Sequence, residues 1–102
     1  MIQRIRYGII GCGAMGREHI ENIKALPGTL VTALADPHAP SRDAAQALLE
    51  TPAQAFEHHR DLLASGLCDA IVIATPNFTH IDILRDALPT DLHILVEKPL
   101  CT

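Results

Sequence analysis

The chain has 102 residues, 48% of them apolar, 20% charged and only 3% aromatic, which bounds it to one domain with a modest core and excludes intrinsic disorder. Eight basic against twelve acidic residues leave a net charge of −4, the wrong sign for a general nucleic-acid binder. No apolar stretch reaches the ~20 residues of a membrane span, and residues 7–16 run into Arg17 and Glu18 without a small-residue cleavage pattern, so neither membrane insertion nor a secretory leader is expected, and the expected compartment is the cytoplasm.

In chain order, residues 4–11 carry Ile5, Ile9 and Ile10 and read as a first strand. Residues 15–26 follow as a helix in which Ile20 and Ile23 share a face that Met15, His19 and Leu26 extend, and Pro27-Gly28 stops it. Residues 29–36 form a second strand around Leu30, Val31 and Leu34. Residues 40–50 form an alanine-rich helix with Ala44, Ala47 and Leu48 on one side and Pro40 in its first turn. A short strand at residues 54–56 and a short helix at 57–64 come next, ending at Ser65-Gly66. Ala-Ile-Val-Ile-Ala at 70–74 is a strand, and residues 79–88 a helix with Ile81, Leu84 and Leu88 at i, i+3, i+7 and a Thr79/Asp82 capping box. His-Ile-Leu-Val-Glu at 93–97 is the last strand. Near-continuous β-branched runs suit strands covered on both faces of a parallel sheet. The expected fold is therefore α/β: a doubly wound, mostly parallel Rossmann-type sheet with helices on both faces. A closing strand left as a bare edge is an aggregation liability, so the sheet is expected to be incomplete at its C-terminal edge, with residues 1–102 a truncated front part of a longer protein.

Gly11-Cys12-Gly13-Ala14-Met15-Gly16 is a G-x-G-x-x-G that follows a strand and opens a helix. Its first glycine suits the tight turn, its second lets main chain approach a pyrophosphate, and its third allows close helix–strand packing. The positive end of the helix favours a phosphate there. Asp36 ends the second strand twenty residues after Gly16, where a carboxylate accepts hydrogen bonds from the adenosine ribose and repels a 2′-phosphate. NAD is the expected cofactor, with Arg42 keeping NADP open. An S-adenosyl or flavin ligand fits the three-glycine loop and acidic residue less well.

Thr75-Pro76-Asn77-Phe78-Thr79-His80 and Glu97-Lys98-Pro99 sit at strand C-termini, where open α/β sheets bind ligands. With the glycine loop and Asp36, this ordered set resembles the N-terminal domain of the Gfo/Idh/MocA oxidoreductases over essentially the whole chain. The resemblance implies that Thr75, Pro76, Asn77 and His80 line a nicotinamide cofactor, and that Glu97 and Lys98 stand by the nicotinamide and substrate. Lys98 would be the catalytic group, positioning the substrate or relaying a proton. It implies too a missing C-terminal domain that holds the substrate pocket. The intact protein would transfer hydride between NAD(P) and a sugar, polyol or related small molecule, as a homo-oligomer, and this part alone would bind cofactor without turnover. The competing class is a non-catalytic NAD(P)-binding sensor.

The remaining polar residues read as structural. His58-His59 point in different directions from a helix and read as a solvated face, so no metal site is expected. His19 reads as a packing histidine. Cys12, Cys68 and Cys101 are odd in number and widely spaced, and read as reduced thiols.

Overall fold

A computed structural model describes residues 5–75 and 79–96. Five strands and four helices alternate in it: β1 (Ile5–Ile10), α1 (Ala14–Lys24), β2 (Thr29–Ala35), α2 (Ala39–Gln46), β3 (Gln54–Phe56), α3 (His59–Leu63), β4 (Ala70–Ile73), α4 (His80–Ala87) and β5 (His93–Val96). The strands pair in the order β3-β2-β1-β4-β5, every pair parallel. The chain therefore leaves β1 in one direction for β2 and β3, and later returns to its other side for β4 and β5. Between β1 and β4 the order reverses, and the C-terminal ends of the strands there open a crevice where such sheets bind ligands.

Two apolar layers hold the helices on opposite faces. Ile20 and Ile23 of α1 and Ala45 of α2 pack with Ile9, Leu34 and Val72, while Leu62 of α3 and Ile83 and Ala87 of α4 pack with Ile10, Ile71 and Ile73. All four residues of β4 are buried, as a strand covered on both faces requires. β5 differs. Its burial alternates, with Ile94 and Val96 against the α4 layer and His93 and Leu95 exposed.

The short strand at 54–56 and the glycine stop after α1 are as the sequence predicts, Gly28 taking a φ of +78° and its carbonyl accepting the Ile5 N–H at 2.8 Å. Helix faces differ from expectation. The inward stripe of α4 is His80, Ile83 and Ala87, the same spacing shifted one residue, or about 100°. Ile81 and Leu88 are 69% and 68% exposed. Small Ala87 lets the helix approach the sheet closely, which a leucine at that point would not. The Thr79 side chain makes no capping hydrogen bond. α2 ends at Gln46 and faces inward through Ala45, although Leu48 and Leu49 still pack against the layer after the helix ends. Met15 and Leu26 are likewise exposed; the first stands at the mouth of the crevice and the second lies past the helix.

Candidate functional site

Three residues, Gly11, Cys12 and Gly13, carry the chain from β1 into α1. Gly11 has a φ of +99°, and a Cβ there would lie 2.7 Å from the Ala74 carbonyl at the end of β4. A Cβ on Gly16 would lie 1.8 Å from the Gly11 carbonyl oxygen, so α1 rests directly on the turn. Gly13 is different. Its φ of −73° and ψ of −162° are open to any residue, and a Cβ there would meet nothing within 4 Å among the described residues. The fold needs glycine at 11 and 16, whereas no contact among the described residues requires it at 13. The amides that open α1 are also left available, since Gly13 offers no side-chain cap and the first turn holds no acidic residue.

Asp36 follows β2 directly and turns its carboxylate toward this loop. Oδ2 accepts the Cys12 N–H at 2.7 Å and Oδ1 accepts the His38 N–H at 2.8 Å. Two main-chain donors thus fix the carboxylate between the glycine turn and the start of α2. Arg42 reaches back from α2 to donate to the Asp36 carbonyl at 2.6 Å, and His38 Nδ1 lies 2.9 Å from Ser41 Oγ. The Cys12 side chain is fully buried. Burial, and secondarily the Asp36 charge, push its thiol up to about 12, so it stays protonated and acts as packing rather than as a nucleophile.

Thr75 forms the facing lip beyond β4. It lines the crevice, and its Oγ1 is buried with no hydrogen-bond partner among the described residues. His80 is 8% exposed and its Nε2 lies 2.8 Å from the Thr75 carbonyl, so it stands behind the lip rather than on the crevice wall. Pro76, Asn77, Glu97 and Lys98 lie outside the described residues. Of the remaining expected site residues, the structure brings Gly11, Gly13, Ala14, Met15, Asp36 and Thr75 to one crevice of about 900 Å³. Cys12 and Gly16 are buried beneath it. A smaller hollow of about 250 Å³, bounded by Lys24, Thr29 and Glu50, holds none of these residues.

Far from the glycine loop, the crevice wall is completed by Glu57, His58, His59, Thr79, Asp82 and Ile83. Here the structure corrects the solvated-face reading of the paired histidines. His58 is exposed, but His59 is half-buried against Asp86 of α4, Nε2 to Oδ2 2.6 Å. Nothing in the sequence pairs positions 27 residues apart. Among the described residues no three His, Cys, Asp or Glu side chains are grouped to hold a metal ion, and no helix is long and apolar enough to cross a membrane.

Parallel strands with a switch point, a glycine turn onto an uncapped helix and a carboxylate at the end of β2 define a dinucleotide-binding Rossmann domain. Residues 5–102 match the family described as the oxidoreductase family with an NAD-binding Rossmann fold, Gfo/Idh/MocA, and the chain belongs to it. It is similar to the inositol 2-dehydrogenase of Corynebacterium glutamicum strain R, 41% identical over 101 residues that cover 98% of this chain and 30% of that protein. The myo-inositol dehydrogenase of Lactobacillus casei, solved with NAD(H) and myo-inositol, superposes with a TM-score of 0.90 at 32% identity, over 97% of this chain and 30% of that one. A 3-ketoreductase mutant from Actinomadura kijaniata, solved with TDP-benzene and NADP, reaches a TM-score of 0.84 at 28% identity, over 98% and 32% of the two chains. This chain spans about 30% of the length of the curated relatives it matches.

Proposed function

We propose that this chain holds the cofactor of a dehydrogenase, its glycine loop receiving the diphosphate of NAD and Asp36 its adenosine ribose. The observation that carries this is the conjunction at the loop: Gly13, which the fold does not require to be glycine, faces open space beside a carboxylate aimed at the same turn. The residues fit the group chemically. Main-chain amides at the start of α1 answer a diphosphate, and an acceptor-only carboxylate answers a ribose diol. The Thr75 hydroxyl on the opposite lip is buried and without a hydrogen-bond partner among the described residues.

A carboxylate locked by two amides stands where NADP carries a 2′-phosphate, and like charges disfavour that ligand. NAD is the preferred cofactor on this ground. Arg42 is bound to the Asp36 carbonyl rather than to its side chain, which leaves the carboxylate charge unanswered by that guanidinium.

When bound, the nicotinamide supplies hydride acceptance or donation. Residues of this chain bind and orient it, and Lys98 is assigned to steadying the substrate oxygen, an ammonium being suited to that charge. The longer protein, with this chain as its N-terminal domain and a substrate domain beyond residue 102, would oxidise a secondary alcohol of a polyol or sugar, in the cytoplasm and as a homo-oligomer. Support comes from relatives named as inositol dehydrogenases. A thermal melt with NAD⁺ tests the cofactor proposal: at ~100 times the dissociation constant the expected gain is about 2.7 kcal/mol, or roughly 10 °C or more for a domain of this size. A folded sample whose midpoint moves with neither dinucleotide would sink the proposal.

A further inference from the structure

One side chain on the crevice wall, His59, with its partner Asp86 on α4, is left unused by that proposal. His59 opens α3 and lines the crevice, with its Nε2 2.6 Å from Asp86 Oδ2. The same oxygen accepts Arg60 Nε at 3.0 Å. Together, the His59 bond first and the Arg60 bond second, they hold the Asp86 carboxyl below the usual carboxylate range. An ionised carboxylate only accepts hydrogen bonds, so the histidine nitrogen facing it carries the proton. A neutral imidazole has one N–H, and with that proton fixed at Nε2 the other nitrogen, Nδ1, becomes an acceptor of defined tautomer. The His59 side chain is 23% exposed, held against α4 rather than free in solvent.

The layout of the crevice says what such an acceptor can meet. If the diphosphate lies at α1 and the ribose at Asp36, the base extends past the end of β2, toward the wall where His59 stands. We infer that His59, oriented by Asp86, reads the purine base of the dinucleotide, its Nδ1 accepting a hydrogen bond from a 6-amino group. This rests on the NAD assignment above and adds to it: the protein selects adenine over a 6-oxopurine. Other charged groups face the same imidazole. Asp82 lies on α4 beside Asp86, Glu57 and His58 precede α3, and Asp36 and His38 stand across the crevice. None of these is paired with His59 in the way Asp86 is.

The test compares NAD⁺ with nicotinamide hypoxanthine dinucleotide, in which an oxo group replaces the amino group and the rest is unchanged. The expected preference for NAD⁺ is about fivefold, the size of one net hydrogen bond. His59→Phe abolishes the preference while retaining binding of both dinucleotides, and Asp86→Asn, which no longer fixes the tautomer, reduces it. A ratio of affinities on one variant is insensitive to that variant's stability. Equal affinities in the unaltered protein, or a preference that survives His59→Phe, overturns the inference while leaving the NAD assignment intact. Failure of both dinucleotides to bind overturns both.

Discussion

At the scale of single residues, three glycines of one motif do three different physical jobs. Gly16 and Gly11 are demanded by contacts inside the chain, at 1.8 Å and 2.7 Å for an added Cβ, whereas Gly13 meets no such constraint among the described residues. Gly16→Ala is therefore expected to unfold or strongly destabilise the domain, as overpacking against main chain does. Gly13→Ala is expected to stay within about 1 kcal/mol of the parent, since the φ is ordinary and the lost cap preference offsets the gain in unfolded-state entropy. Its NAD⁺ affinity should fall tenfold or more, because the methyl group occupies the approach of the diphosphate; calorimetric titration beside a thermal melt separates the two effects. Asp36→Ala removes acceptors from two main-chain amides. It is expected to cost about 1–3 kcal/mol of stability in urea titrations and to weaken NAD⁺ more than NADP⁺. Equal weakening of the two cofactors would count against a ribose contact.

Among the elements, α4 shows how far periodicity reaches. Two stripes at the same spacing compete on it, Ile81/Leu84/Leu88 and His80/Ile83/Ala87, and hydrophobicity favours the first. The sheet takes the second, burying Ile83 and Ala87, with Leu84 of the first packing only partly buried beside them. Ile83→Ala is expected to destabilise by about 2–4 kcal/mol, while Ile81→Ser, at 69% exposure, should stay within about 0.5 kcal/mol. Chemical denaturation of the two variants side by side checks the assignment. The stops were more legible than the faces: Pro27-Gly28 after α1 and Ser65-Gly66 after α3 end their helices through local backbone preferences, with φ of +78° at Gly28 and +71° at Gly66.

For the whole molecule, one ion pair ties the N-terminal ends of the two strands flanking the switch point. Arg6 on β1 donates from Nη2 to Asp69 Oδ1 at 2.9 Å and from Nε to Oδ2 at 3.2 Å, and its amide donates to Oδ2 at 2.9 Å. The side-chain bond from Arg6 is the main cause that lowers the Asp69 carboxyl to about 2. A carboxyl depressed in the folded state stabilises it above the ordinary carboxylate range. That contribution is lost as pH falls from about 4 toward 2. Asp69→Asn should accordingly flatten the acid side of the stability profile between pH 5 and 2, followed by urea unfolding at each pH. With both side chains 43% exposed, added salt should weaken the effect.

Local chemistry was enough to determine the alternation of strands and helices, the parallel sheet, the glycine loop and the acidic strand end, because each depends on short-range backbone preference and on burial patterns read within ten or twenty residues. Tertiary structure alone decided the rest. It turned the Asp36 carboxylate onto the Cys12 amide, set His80 behind the lip formed by Thr75, and chose the inner stripe of α4. It also brought His59 to Asp86 across two helices. The Asp36–Cys12 and His59–Asp86 contacts join groups 24 and 27 residues apart along the chain, and all of these choices are governed by how closely backbones can approach and by which donors are left over once the sheet is formed.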